Sequence, residues 1–267
     1  MAVRAMWKGV LRVADASVPI KLYSAVQDHD IHFRLLHRTD MTPVTQAMVH
    51  PGTNEVVSHD KVQRGYQASP GELVLLKPDE LDSLTPQESR DIALTRFVPV
   101  GAIDAQWYDR PYYLGPDDEA AGAYGALTAA LERSKVEGVA HWIMRKKAYV
   151  GALRVHAGTL VLVSLRHTEE VVAIESLETP EGPALDKKEL VMAQQLMSML
   201  EEDFDPAAYR DDYRDQVMEL IDTKRRGQKP KLGLVKTKPR AGNLKAALAA
   251  SLRTAQRKPR EKVSASA

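Results

Sequence analysis

Charge is segregated along this chain, and that segregation limits what can fold. Residues 224–267 hold fourteen Lys or Arg and one acid, a net +13. The other 223 residues hold 23 bases and 35 acids, a net −12. So uniformly basic a segment cannot supply a core, and the globular body must come from the acidic remainder. The overall formal charge of +1 conceals both facts. A tail of this kind is drawn to a polyanion, nucleic acid first among the candidates. The plainer alternative is a solvated extension with no partner.

The body is long enough for one large domain or two small ones, and its 44% hydrophobic residues suffice for a core. There is no Cys, so disulfides, thiolate chemistry and Cys-ligated zinc are excluded. That absence fits a reducing cytoplasm. Met1 to Val10 holds no long apolar stretch, which argues against a signal peptide, and no run of about 18 apolar residues argues for a membrane span.

The first two-thirds of the chain reads mainly as strands. Trp7 to Val13 and Val18 to Tyr23 flank Ala14-Asp15-Ala16-Ser17, a predicted hairpin. Glu72 to Leu76 follows a Pro70-Gly71 turn signal, and Ile92, Leu94, Arg96 and Val98 alternate partially. Ile143 to Val155 and Thr159 to Arg166 are two further candidates around Ala157-Gly158. Strands joined by short turns, without regular alternation with long helices, predict an antiparallel sheet or barrel: a mainly β fold with helical additions.

The helical additions carry recognisable punctuation. Pro78 to Leu81 starts a short turn, and Ala120 to Arg133 places Tyr124, Leu127 and Leu131 on one face. Asp186 and Glu189 form a capping-box pattern ahead of a stripe of Leu190, Ala193, Met197 and Leu200, and Asp205-Pro206 is the expected break. Ala207 to Lys224 is the next predicted helix, with Tyr209, Tyr213, Val217 and Leu220 on one side. These two stripes are either core or arms that reach a second subunit. Residues 227–242 read as a flexible basic linker after a body spanning 1–226. Residues 243–267 follow, with Leu244, Leu248 and Leu252 at helical spacing behind a possible Asn243 cap. That ridge either fills a partner's groove or frays unpartnered. No internal repeat is legible.

Catalytic motifs are missing. The chain has no phosphate-binding Gly-x-x-x-x-Gly-Lys-Ser/Thr, no Gly-x-Gly-x-x-Gly, no Gly-x-Ser-x-Gly and no His-Glu-x-x-His. Asp28, His29, Asp30, His32 and His37 lie close in sequence, and His50 and His59 flank a Pro51-Gly52-Thr53-Asn54 turn. Two His are too few for a structural zinc site, so no metal and no cofactor is expected. Cations inside the acidic body are more informative. Lys8, Arg12 and Lys21 fall on or beside the first two strands; Arg34 and Arg38 are four apart; Arg145-Lys146-Lys147 is a tight cluster with Arg154 beyond. Phosphate contacts need such cations and no base order, although a strand cluster also serves as a solvated edge that blocks aggregation.

Several segments together carry a family resemblance. They are Arg4 to Gly9, Val18-Pro19-Ile20-Lys21-Leu22-Tyr23-Ser24-Ala25, Phe33 to His37, Lys61 to Tyr66, Trp107-Tyr108-Asp109-Arg110-Pro111-Tyr112-Tyr113-Leu114-Gly115-Pro116, Leu190 to Leu200, and Phe204-Asp205-Pro206. In this order and spacing, over roughly residues 3–227, the chain resembles the bacterial Ku proteins of non-homologous end joining.

The resemblance implies a central β-barrel with a DNA-encircling arm and a C-terminal helical arm. It further implies a ring-shaped homodimer threaded by linear double-stranded DNA, no catalysis, and recruitment of a multifunctional DNA ligase for double-strand-break repair. It makes this a cytoplasmic, nucleoid-associated protein with no membrane role. Lys8, Arg12, Lys21, Arg34, Arg38, Arg145, Lys146, Lys147, Arg154, Lys229, Lys231, Lys236 and Lys238 are then the expected DNA contacts, with the 145–147 cluster placed on the arm. Leu244, Leu248, Ser251 and Leu252 are the expected ligase contacts. Two departures stand out. Many relatives carry a Cys-x-x-Cys pair where this chain has Val49-His50-Pro51-Gly52, and the turn at Arg12-Val13-Ala14-Asp15 lacks the usual glycines. The competing readings are an architectural protein that coats DNA through its tail, and a metal-dependent nuclease or phosphatase built on the His/Asp cluster.

Overall fold

In a computed structural model, residues 4–117, 119–178 and 186–229 are described. The chain divides into two compact units that meet between Leu177 and Glu178. The first unit contains strands β1 (Trp7–Val13), β2 (Ala16–Ser24), β3 (Arg64–Ser69) and β4 (Glu72–Leu76), and then helix α1 (Pro78–Ser83). It continues with β5 (Asp91–Pro99), β6 (Tyr108–Pro116), helix α2 (Ala121–Ser134), β7 (Val136–Met144), β8 (Lys147–His156) and β9 (Thr159–Leu165). Seven of these strands close into a barrel in the order β1-β2-β6-β9-β8-β7-β5, shut by parallel pairing of β5 with β1. β3 and β4 pair only with each other, within a long insertion between β2 and β5.

Alternation builds the barrel core. Leu11, Ile20, Leu22, Ile92, Leu114 and Leu162 point inward and are almost fully buried. Each contributes about 1.5–3 kcal/mol of transfer free energy. The inward face also needs two bare positions. A Cβ on Gly9 would stand 2.2 Å from the Trp7 ring, and one on Gly151 would stand 2.6 Å from the Val163 carbonyl and 2.7 Å from the Trp142 ring. Both indoles therefore occupy the space a side chain at these glycines would need, and Trp142 stacks on Tyr149 at 5.2 Å. α2 packs against the barrel through Leu131, Tyr124 and Leu127. It is fixed there by the Tyr124 hydroxyl, which donates to the Leu114 carbonyl (2.7 Å) and accepts from the Leu160 amide (2.9 Å). Burial pushes the pKa of this phenol up.

The mainly β class and the first hairpin are as expected, with Trp7 opposite Leu22 and Val13 opposite Ala16. Three details differ. Ile143 to Val155 is not one strand, because the chain turns back at Arg145 and Lys146, both at positive φ. β6 escaped notice because it contains Pro111, Gly115 and Pro116; Pro111 sits at a bulge in the pairing with β9, where a missing N–H does no harm. The alternation in β5 fails past Leu94 because a bulge shifts register before Arg96.

The second unit holds α3 (Lys187–Met199) and α4 (Asp212–Arg225). The Asp186/Glu189 capping box forms as expected. α3 ends at Met199, well before Asp205-Pro206, and the predicted helix from Ala207 begins only at Asp212. Between them Asp205 caps a short 3-10 turn, accepting from the Ala207 amide at 2.9 Å. Leu190, Met197 and Leu200 are exposed in the single chain, as are Tyr209 and Tyr213. Among the described residues, no helix is long and apolar enough to cross a membrane.

Candidate nucleic-acid interface

β1 and β2 place Lys8 directly opposite Lys21 on the outer barrel face. Two cations at that distance repel. Asp117, just beyond β6, lies between them, 2.8 Å from Lys21 Nζ and 3.4 Å from Lys8 Nζ. Arg12 lies 2.8 Å from Asp91 at the β1–β5 seam. Lys8 and Arg12 are exposed, and pairs of that kind are worth at most about 1 kcal/mol and yield readily to a competing phosphate, whereas Lys21 is half-buried. Arg34 and Arg38 are exposed on the insertion.

The β7–β8 turn is the most conspicuous cationic feature. Arg145 (φ 52°) and Lys146 (φ 63°) are consecutive left-handed residues in a two-residue loop, with Met144 paired to Lys147 below them. Asn-Gly is the usual occupant of such a turn, and long side chains there cost energy. All three cations are exposed. Lys147 Nζ stands 5.4 Å from the Tyr149 ring centroid, and Lys146 reaches Asp82 in the insertion at 3.4 Å. The cluster is thus the tip of a barrel hairpin that touches the insertion, rather than part of the insertion itself.

Arg90 joins this cluster, which the sequence did not indicate. Its carbonyl accepts from the Val10 amide at 2.8 Å, anchoring the approach to β5 against β1. Arg90, Lys8, Arg145 and Lys146 share one cleft, with Met6 and Ile143 supplying apolar lining and Glu88 the one acid. Four cations from three separate stretches of chain therefore face a common space.

Arg154 has a partner within the barrel wall. Its guanidinium lies 3.2 Å from Glu137 Oε1, a carboxylate that is 1% exposed, and 5.5 Å from the Tyr108 ring centroid. The Tyr108 hydroxyl donates to Glu137 Oε2 at 2.9 Å. Burial first, and then this carboxylate, raise the Tyr108 pKa. Oε1 receives no aligned hydrogen bond among the described residues, so Arg154 serves it chiefly as a counter-charge. Arg154→Met should therefore destabilise the barrel by about 1–3 kcal/mol, less than for a fully buried pair because the arginine is partly solvated. The pair variant Arg154→Met with Glu137→Leu should recover most of that loss. Chemical denaturation measures both, and an Arg154→Met protein as stable as the parent would contradict the assignment.

Lys229 is exposed just past α4. Lys231, Lys236, Lys238, Leu244, Leu248, Ser251 and Leu252 lie outside the described residues. Among the described residues no three His, Asp or Glu side chains converge as a metal site. His50 and His59 are both exposed.

A closed barrel with a long insertion, a cationic hairpin and a separate helical unit is the architecture in hand. The family model described as the Ku70/Ku80 beta-barrel domain matches residues 12–196. A protein of Geotalea uraniireducens (strain Rf4) named Non-homologous end joining protein Ku 2 is 35% identical over 229 residues, covering 86% of this chain and 89% of that one. Non-homologous end joining protein Ku of Mycobacterium tuberculosis (strain ATCC 25618 / H37Rv) is 34% identical, with 84% of each chain covered. Its counterpart from Heliobacterium modesticaldum is 32% identical over 85% of this chain and 83% of its own. The chain belongs to the Ku family.

Proposed function

We propose that this protein binds the ends of linear double-stranded DNA in non-homologous end joining. It does so without catalysis, as a ring-shaped homodimer, and it recruits a DNA ligase through its tail. The names of its relatives support the process. The observation that carries DNA binding to this chain is the Arg145-Lys146 turn: two long cations retained at a strained position where Asn-Gly would be easier, beside Lys8 and Arg90. Phosphate recognition explains that choice, and nothing nearby resembles a base-reading element, so sequence preference is slight.

A body of net −12 is a poor DNA binder on average, so local potential must decide. In the ring, the cationic cleft faces the channel and the acids face solvent, which discourages DNA from wrapping outside. The insertion exposes Phe33, Leu35, Met41, Leu73 and Leu75, and the second unit exposes Met197 and Leu200. Large apolar side chains exposed in each unit support an association surface. The homodimer covers it, with an interface above about 2,000 Å². Sedimentation velocity should show a dimer at micromolar concentration, and one dimer per short linear duplex. A stable monomer would contradict the ring.

A further inference from the structure

The insertion contains a repeat that its residues conceal. Two hairpin turns, at 35–44 and 48–57, follow one hydrogen-bond plan displaced by thirteen residues. In the first, the Val44 amide donates to Leu35 O (3.0 Å), His37 N to Thr42 O (2.8 Å) and Met41 N to His37 O (2.9 Å). In the second, Val57 N donates to Met48 O (2.8 Å), His50 N to Glu55 O (2.9 Å) and Asn54 N to His50 O (2.8 Å). The isolated bridges Leu36–Pro43 and Val49–Val56 match, as do the left-handed residues Met41 (φ 56°) and Asn54 (φ 58°).

Each turn presents side chains at an i, i+3 spacing, His37-x-x-Asp40 and His50-x-x-Thr53. The same i, i+3 spacing separates the Cys-x-x-Cys pair, a zinc-ligand pattern, that many relatives carry at the second turn, where this chain has Val49-His50-Pro51-Gly52. The donors present here do not fit a zinc site. There is no thiol, Thr53 offers only a neutral hydroxyl, and among the described residues no three His, Asp or Glu side chains come together as a metal site. Asp40 Oδ1 already faces His37 Nδ1 (2.7 Å) and accepts from the Thr42 amide (3.1 Å) and hydroxyl (2.9 Å). The Thr42 amide foremost, then His37, hold the Asp40 carboxyl below its ordinary pKa. In the second turn, His50 Nδ1 accepts from the Gly52 amide at 3.2 Å, and Thr53 Oγ1 donates to Glu55 at 3.3 Å.

We propose that these turns form one duplicated module in which side-chain hydrogen bonds replace a metal ion, so that the insertion of this chain keeps its shape without zinc. His37 and Asp40 in the first turn are equivalent to His50 and Thr53 in the second, and Asp40 and His50 tie each turn to its own backbone.

Two measurements on the full-length protein test this. Protein purified without chelator should contain well under 0.1 zinc per chain, and excess phenanthroline should leave its melting temperature unchanged. Stoichiometric zinc, with a melting temperature that falls on chelation, would overturn the proposal. The combined variant His37→Cys, Asp40→Cys, His50→Cys, Thr53→Cys should gain one Co2+ per chain, with the intense near-ultraviolet thiolate band of a tetrathiolate site. A folded variant lacking that band would show that the two turns are not one module. If the variant does not fold, Asp40→Ala decides: amide exchange at Met41 and Thr42 should accelerate at least tenfold, and unchanged exchange would remove the claim that the side chain holds the turn.

Discussion

Replacing Arg145 by Asn, Lys146 by Gly and Lys147 by Thr should weaken duplex binding for all sequences alike while leaving the barrel at least as stable. The first two substitutions install the pair that a two-residue hairpin prefers. They relieve the left-handed strain at Arg145 and Lys146, worth about 1 kcal/mol or more. The third puts a β-branched residue at the start of β8, where Lys147 now stands. What is lost is charge. Three phosphate contacts carry a log–log salt slope of about 0.9 each, so the slope should fall by roughly 2.7. Equilibrium binding at several salt concentrations measures it. An unchanged slope in the stabilised variant would place the hairpin away from DNA. Opposite signs for stability and binding separate this outcome from simple unfolding.

The second large effect concerns the tail. By sequence Leu244, Leu248 and Leu252 recur at helical spacing, and on the proposed reading that pattern serves a groove on a ligase, since it would be worth little to an isolated helix. Charge cannot substitute for that pattern. Leu248→Asp with Leu252→Asp should abolish ligase stimulation and leave end binding nearly intact. Deleting residues 257–267, which hold Arg257, Lys258, Arg260 and Lys262, should do the reverse, modestly lowering DNA affinity while sparing recruitment. A double-Asp variant that still stimulates joining would move the ligase contact to the body. Ser251→Ala leaves the leucine spacing intact and should matter little.

What the sequence reveals and what it hides follow from where the information lies. The β1–β2 hairpin is legible because two apolar, β-branched runs flank a short turn, with Val18, Ile20 and Leu22 at every second position of the second. The Asp186 cap is legible because its partner is three residues away. The β7–β8 turn is not, because Arg145-Lys146 carries none of the Gly or Asn chemistry that marks such turns, and its strain is visible only as backbone angles. The duplicated turns share hydrogen bonds but, of their residues, only His37/His50 and Val44/Val57; a Met at a left-handed position is no signal, so the repeat shows mainly in the backbone. Arg90 joins the cleft through the parallel closure of β5 on β1, a contact that spans some eighty residues. Arg154 resembles the other cations until its neighbour across the sheet is known to be a buried Glu137.

The central claim is threading, and threading requires an end. The decisive measurement is competition between a linear duplex and a covalently closed circle of identical sequence for the full-length protein at physiological salt. A ring loads only over a free terminus, so the linear form should compete far better, by at least two orders of magnitude per molecule, and cutting the circle once should restore competition. Equal competition by the closed circle would contradict the ring and leave a protein that coats DNA through its basic tail.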